Sequence, residues 1–263
     1  MTPTTPTTPT TPATPAVPAA RPAALVTGAS RGIGLAIAER LAAAGHDLTI
    51  CARGGDALAA AGERLAALGA AVRAEPADMA AEDDVRRLAG AHADAYGRLD
   101  VLVVAAGVGT AGPVDTAPLH RFDKQFAVNV RAPYTLVQAL LPTLRATAAT
   151  RPDQGVKIIM LSSLTGVFPE PGLAAYGASK AALISLCRSL NAELSADGIT
   201  ATAICPGYVD TDMSAWVHDR IGPDDMIRTA DVAELAMSLT RLSPRAVVSE
   251  LVITRPGGQL HRA

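Results

Sequence analysis

The sequence predicts a single α/β domain, a doubly wound parallel sheet of seven strands with helices on both faces. Three observations predict it. From Ala23 onward, short β-branched or apolar runs alternate with longer Ala/Leu/Arg-rich stretches at helical spacing, as βαβ units do. The first such run leads into a glycine-rich turn and then a helix. The length of 263 residues, 49% of them hydrophobic, is enough for one large core and too little for two full domains.

Taken in order, the strand candidates are 24–27, 48–52, 71–75, 101–105, 156–161, 200–205 and 250–254. Helix candidates lie between them at 33–44, 56–68, 82–96, 121–148, 174–196 and 230–242. Right-handed crossovers between parallel strands place successive helices on opposite faces when the strand order reverses. Ligands of such sheets bind at the carboxyl ends of the strands, beside that reversal. The loops after the first, second, fourth, fifth and sixth strands are therefore the places to look for chemistry.

Composition excludes several classes. Lys and Arg number 23 against 25 Asp and Glu, a formal net charge of −2, so the basic footprint of a nucleic-acid binder is missing. Cys51, Cys187 and Cys205 form no CxxC pair or ligand cluster; they are expected as buried apolar fillers, with no metal site and no disulfide scaffold. No apolar run suits a membrane span, and the first residues lack the basic start and apolar stretch of a secretory signal, which predicts a cytoplasmic address. Residues 1–22 are a Thr/Pro tract with almost no charge and no large apolar group. Such a tract cannot offset the entropy of ordering, so 1–22 is expected to be a disordered tail and 23–263 the folded domain.

The first strand runs into Thr27-Gly28-Ala29-Ser30-Arg31-Gly32-Ile33-Gly34. Glycines allow a tight turn whose backbone N–H groups approach a pyrophosphate at the positive end of the following helix. The spacing is Gly-x-x-x-Gly-x-Gly, which a purely structural turn could also show. The second strand ends Ile50-Cys51-Ala52-Arg53 with no acid at its tip, whereas a carboxylate there would favour NAD. Arg53, with Arg31 reaching over from the glycine turn, would clamp the extra phosphate of NADP.

Past the fifth strand comes Ser162-Ser163-Leu164-Thr165-Gly166, and beyond it Tyr176-Gly177-Ala178-Ser179-Lys180. Tyr176 and Lys180 are four apart on a predicted helix and share a face. A nearby ammonium favours a phenolate, so Lys180 is expected to lower the Tyr176 pKa from its ordinary value near about 10. Tyr176 could then give a proton to a nascent alkoxide or take one from an alcohol. A lone Tyr-x-x-x-Lys is a weak signal, but here it stands with the glycine turn, a Ser upstream and the later Pro206-Gly207.

TGASRGIG, Ser163, YGASK and the Pro-Gly segment together resemble the short-chain dehydrogenase/reductase family in its compact form, over essentially all of 23–263. The resemblance implies a Rossmann fold and a nicotinamide cofactor on Gly28, Gly32 and Gly34, with Ser30 and Ile33 lining the phosphate path. It implies that Asp78 holds the adenine amino group, although Asp78 could equally cap the next helix. Where the family shows Asn-Asn-Ala-Gly this chain has Val104-Ala105-Ala106-Gly107. Ala106 and Gly107 still permit close approach to a cofactor, but the hydrogen bonds of the missing amides must be replaced or lost.

By the same resemblance, Ser163 holds the substrate oxygen, Lys180 bonds the nicotinamide ribose and Asn129 bends its helix and holds a water on the proton path. Pro206 and Gly207 pass under the nicotinamide, with Val209 at the carboxamide and Thr211 near the pyrophosphate. The implied activity is an NADP(H)-preferring reduction of a ketone, or 3-oxoacyl-type carbonyl, to a secondary alcohol. A sugar or polyol dehydrogenase, or a non-catalytic dinucleotide sensor, stays open. The segments expected around the substrate offer Phe168, Pro169, Leu173, Tyr208, Met213, Trp216, Val217 and Met226, an apolar set suited to a small or medium ketone or acyl group. Acidic Asp197 beside Gly198 speaks against a dedicated fatty-acid elongation role. Helices over 129–144 and 181–194 are apolar over more of their circumference than one sheet face covers, which with the resemblance implies a homodimer or homotetramer.

Overall fold

Strand β1 (Ala23–Thr27) lies inside the sheet because all of its residues are buried, and it pairs in parallel with β2 (Asp47–Ala52) on one side and β4 (Val101–Val104) on the other. With β3 (Val72–Pro76), β5 (Val156–Leu161), β6 (Ile199–Pro206) and β7 (Glu250–Ile253), the computed structural model shows seven parallel strands in the order β3-β2-β1-β4-β5-β6-β7. The order reverses between β1 and β4, so the loops that follow these two strands open onto one crevice. The predicted doubly wound sheet is thus the observed one.

Alternation along the strands sends neighbouring residues to opposite layers. Ala24 and Val26 pack with α1 (Gly32–Ala43), α2 (Gly55–Ala67) and α7 (Thr229–Thr240). Leu25 faces the other layer, α3 (Glu82–Tyr96), α5 (Ala132–Thr150) and α6 (Ala174–Leu194). Helix α3 shows how local sequence sets an element's limits. Glu82, Asp83 and Asp84 fill its first turn, where the helix dipole favours negative charge, and Gly97 ends it at φ 63°, a left-handed conformation that glycine takes at no steric cost. The edge strand β3 is half exposed and carries the Arg73–Glu75 ion pair, which discourages pairing with another sheet.

The structure describes residues 21–257, so most of the predicted tail, residues 1–20, lies outside the described residues. Its last two residues belong to the fold. Arg21 donates to the carbonyls of Gly45 at 3.0 Å and Gly69 at 2.6 Å, and the Pro22 carbonyl accepts from the Asp47 N–H at 2.9 Å.

One predicted helix is broken. The stretch 121–148 is α4 (Leu119–Phe126), a π-helical turn over Ala127–Arg131, and then α5. Pro133 has no N–H to offer the carbonyl of Asn129, four residues back, so α-helical bonding fails there. The Asn129 side chain meanwhile bonds both backbone groups of Val108, at 2.9 Å each, which holds the π turn against the loop after β4.

At the other end of the sheet, His92 is fully buried between the Thr49 hydroxyl at 2.8 Å and the Arg98 carbonyl at 3.0 Å. Burial pushes its pKa down to about 4, and the Arg98 hydrogen bond and the Asp100 charge recover only part of the loss. The unfolded chain therefore binds this proton from pH about 6.5 downward while the native state refuses it until about 4. Stability should fall as the pH drops through that window, by about 3 kcal/mol in full from this group. Denaturant unfolding at pH 7 and pH 4.5 should show a shallower pH dependence for His92→Gln than for the unaltered protein, and equal slopes would refute the assignment.

Candidate active site

The crevice begins where β1 turns into α1. Gly28 takes φ 67°, and a Cβ there would stand 2.8 Å from the Ala106 backbone nitrogen, so only glycine lets the two turns meet. A Cβ on Gly34 would strike the Gly28 carbonyl, which brings the first turn of α1 directly over the loop. Thr27, fully buried, accepts hydrogen bonds from the N–H groups of Ala105 and Ala106 at 3.0 Å each. That hydroxyl anchors the backbone of the loop after β4 to β1.

Helix α1 opens with no side-chain cap from Arg31 and no acid in its first turn, which leaves its N–H groups and dipole directed at the loop. Ser30 and Ile33 are half-buried along it, and a Cβ on Gly32 would stand 3.3 Å from the Thr211 methyl. The loop after β6 therefore closes over the glycine turn. These features fit a dinucleotide: close backbone, an uncompensated helix N-terminus and no carboxylate inside the turn.

Arg31 is not poised as expected. Its guanidinium pairs with Asp212 at 2.8 Å, both side chains being about three-quarters exposed, at 72% and 73%. Asp212 follows Thr211 directly and lies 181 positions along the chain from Arg31. Arg53 is exposed at the end of β2 and is held by no ion pair among the described residues. Asp78 is exposed after β3 and does not cap α3, whose flanking residue is Ala81. Its carboxylate instead accepts from the Ala80 N–H at 2.9 Å, and its own N–H donates to Asp84 at 2.8 Å. The capping alternative is thereby set aside, because the helix begins three residues too late for it.

The Tyr, Lys, Ser and Asn of the motif set converge. A Cβ on Gly107 would lie 3.3 Å from the Lys180 Nζ and 3.4 Å from the Asn129 Oδ1, and one on Gly109 would lie 3.0 Å from the Tyr176 ring. The Lys180 Nζ stands 5.6 Å from the centre of that ring and donates to the Leu161 carbonyl at 2.7 Å. Asn129 also donates to Ser179 at 2.9 Å, and Ser179 in turn donates to the Tyr176 carbonyl at 2.7 Å. Ser163 is buried, and its oxygen accepts from the Thr165 hydroxyl at 3.0 Å.

Electrostatics at this cluster differ from expectation. Burial raises the Tyr176 pKa above the ordinary phenol value, and its hydrogen bond with Ser163 offsets only part of the rise. No lowering by Lys180 is seen. The lysine is itself desolvated, which pushes its ammonium down to about 8, and it spends a donor on Leu161. In this state Tyr176 is a protonated acid beside a buried cation.

Pro206 is buried at the end of β6 and Gly207 half-buried after it, and the Gly207 N–H donates to the Ile253 carbonyl at 2.9 Å. The Val209 carbonyl is taken by the Ser214 hydroxyl, and Thr211 shares a capping box with Ser214 over a short helix at Asp212–Val217. Of the apolar residues expected at the substrate, Met213 and Trp216 are half exposed, whereas Leu173, Val217 and Met226 are buried. The sequence does not single out Thr27, Ser179, Asp212 or Glu170 as site residues. Thr27 and Ser179 sit inside motifs already quoted, so position could have flagged them. Nothing local marks Asp212 as the partner of Arg31. Glu170 lies in a segment read as apolar, yet it accepts a hydrogen bond from Tyr208 at 2.9 Å.

Among the described residues no cluster of His, Cys, Asp and Glu is placed to hold a metal ion, and no helix is long and apolar enough to cross a membrane. Cys51, Cys187 and Cys205 are buried and unpaired. The family profile described as short chain dehydrogenase matches residues 22–221. A 3-oxoacyl-[acyl-carrier-protein] reductase of rhamnolipid biosynthesis from Pseudomonas aeruginosa is 37% identical over 215 residues, 81% of each chain. A short chain dehydrogenase from Burkholderia cenocepacia, solved with NADP, is 35% identical with a TM-score of 0.79, over 91% of this chain and 97% of that one. A 3-oxoacyl-[acyl-carrier protein] reductase from Brucella melitensis, solved with NAD, is 31% identical with a TM-score of 0.80, over 89% and 95%. With the sheet order, the glycine crevice and the Ser-Tyr-Lys cluster already in place, these likenesses make the chain an oxidoreductase that belongs to the short-chain dehydrogenase family.

Proposed function

We propose that the enzyme interconverts a ketone, or a 3-oxoacyl-type carbonyl, with a secondary alcohol, prefers NADP(H), and uses Tyr176 as its general acid and base. The observation that carries this reading is the convergence of half-buried Tyr176 with the buried Lys180 ammonium, 5.6 Å from the phenol ring, beside buried Ser163 and the glycines of the crevice. A bound nicotinamide supplies or accepts the hydride. Ser163 and the Tyr176 hydroxyl hold the substrate oxygen, and Tyr176 delivers the proton as charge develops there. Lys180 stabilises that developing negative charge and holds the nicotinamide ribose. Asn129 keeps the π turn in place and so fixes Ser179 and the Tyr176 backbone.

The cofactor rests on Gly28, Ser30, Gly32, Ile33 and Gly34 at the pyrophosphate, Asp78 at the adenine and Ala106 and Gly107 along the crevice. Pro206, Gly207, Val209 and Thr211 line the nicotinamide end. Arg53 meets the 2′-phosphate. Arg31 joins it by leaving Asp212, an exchange that costs little because exposed ion pairs are worth about 0–1 kcal/mol. NADPH should therefore give a higher kcat/KM than NADH. Arg53→Asp should erase or reverse that preference, the lost charge-assisted hydrogen bond being worth roughly 10–100-fold. Equal efficiencies with the two cofactors in the unaltered enzyme would sink the assignment.

Tyr176→Phe should leave NADPH affinity, read by fluorescence titration, near its original value while turnover falls ~10²–10⁴-fold. The alcohol-oxidation rate should rise with pH toward the raised phenol pKa, because the phenolate is the base in that direction. In Lys180→Met cofactor binding should weaken, because the ribose contact is lost. Wild-type turnover in the Phe variant would show that the phenol is not the acid.

We further propose that copies of the chain associate through α5 and α6. Tyr134 on α5 is 56% exposed and Leu119 on α4 is 79% exposed, while Leu186 and Leu190 on α6 are half-buried, so an apolar outer surface spans these helices. Light scattering at micromolar concentration should report a dimer or a tetramer, and a monomer would refute the association.

A further inference from the structure

One neighbour bonds Ser163 twice. Ser163 stands at the start of the short helical turn Leu164–Gly166, and its side-chain oxygen accepts from the Thr165 N–H at 3.2 Å and from the Thr165 hydroxyl at 3.0 Å. Both residues are buried. The turn that carries them is pressed against α6: a Cβ on Gly166 would stand 2.8 Å from the Lys180 carbonyl carbon, and one on Gly177 would stand 2.9 Å from the Thr165 carbonyl oxygen. Ser162 adds a hydrogen bond to the Lys180 carbonyl at 2.8 Å. Thr165 is therefore held in place against the helix that carries Tyr176 and Lys180.

A serine hydroxyl has one proton to give and two lone pairs to offer. A backbone N–H can only donate, so Thr165 fills the first lone pair of Ser163 through its main chain. Its hydroxyl, which has no other partner among the described residues, donates to the same oxygen and fills the second. Ser163 then has no capacity left to accept, and its hydrogen bond with Tyr176 must run from the serine to the phenol oxygen. That direction agrees with the effect of this bond on Tyr176, which is to lower the phenol pKa, because a donated hydrogen bond favours the phenolate. The Tyr176 proton is thus not spent on Ser163 and stays available to an oxygen being reduced. A hydroxyl that accepts two hydrogen bonds is also a more polarised donor.

We infer that Thr165 is a positioning residue for the reduction: by filling both lone pairs of Ser163 it makes that hydroxyl a donor only, so that Ser163 and Tyr176 both present protons to the carbonyl oxygen of the substrate. Thr165 touches neither substrate nor cofactor in this role and acts through Ser163. This inference rests on the carbonyl-reductase reading above. The gain belongs to the transition state, where negative charge gathers on the carbonyl oxygen and a donor already set need not reorient.

The test follows NADPH-dependent reduction of ethyl acetoacetate, acetophenone and cyclohexanone. Thr165→Val keeps the shape and the N–H but removes the hydroxyl, so kcat should fall roughly 3–10-fold, the net worth of one hydrogen bond, while NADPH affinity read by fluorescence titration holds. Thr165→Ser, which restores the hydroxyl, should restore kcat. Thr165→Ala takes the place of the Val variant if the latter does not bind NADPH. Added to Ser163→Ala, Thr165→Val should leave the residual turnover unchanged, because the serine through which it acts is gone; a merely structural role would lower turnover in both backgrounds. If Ser163→Ala has no measurable turnover, the contrast between Thr165→Val and Thr165→Ser decides. An unaltered kcat in Thr165→Val, an equal loss in Thr165→Ser, or an undiminished effect in the Ser163→Ala background overturns the inference and leaves the carbonyl-reductase reading standing. No reduction of any of the three ketones by the unaltered enzyme, with either cofactor, overturns both.

Discussion

The contact of two backbone turns at the reversal of strand order governs most of this structure. Gly28 and Ala106 approach so closely that a side chain at position 28 has no room. From that approach the Thr27 hydroxyl can reach two amide groups of the opposite turn, and α1 can start directly above the loop. Both N–H groups are half-buried, and leaving them without this acceptor would cost at most about 1–3 kcal/mol each. The same approach places Gly107 against Lys180 and Asn129, and Gly109 against the Tyr176 ring. The crevice for the dinucleotide and the position of the acid are consequences of one packing constraint.

The chemistry of the site is bought against the stability of its surroundings. Lys180 is an ammonium desolvated beside a backbone carbonyl, with no carboxylate paired to it among the described residues, and burial lowers its pKa. Tyr176 is buried enough to hold its proton, which suits an acid for reduction and makes the base for oxidation scarcer. The π turn at Ala127–Arg131 is a further local irregularity, sustained because Asn129 bonds Val108 on one side and Ser179 on the other. Each irregular feature is over-determined by hydrogen bonds from a different element, which is how a strained arrangement persists in a folded chain.

Lys157 offers a useful contrast. It too is buried, at the opposite end of β5, with its amine on the Thr200 hydroxyl and the Ser243 carbonyl at 3.3 Å each. Its pKa is lowered by desolvation as well. A perturbed lysine is therefore not a site by itself; Lys180 earns attention because Tyr176, Asn129 and the glycine turns surround it.

Much was determined by the sequence alone. Apolar alternation and helical spacing specify every strand and most helices, because the βαβ unit is a local pattern repeated along the chain, and the glycine turn, Ser163, Tyr176, Lys180 and Asn129 stand at spacings that survive without coordinates. Only the tertiary structure decided what distant residues do to one another. It paired Arg31 with Asp212, set the Thr27 hydroxyl on two N–H groups of the loop after β4, split the long helix at Asn129, and let burial raise the Tyr176 pKa. It also joined Glu170 to Tyr208. Periodicity reports which face of an element is buried, whereas desolvation and hydrogen bonding between residues far apart in the chain depend on distances of a few ångströms that exist only once the layers have packed.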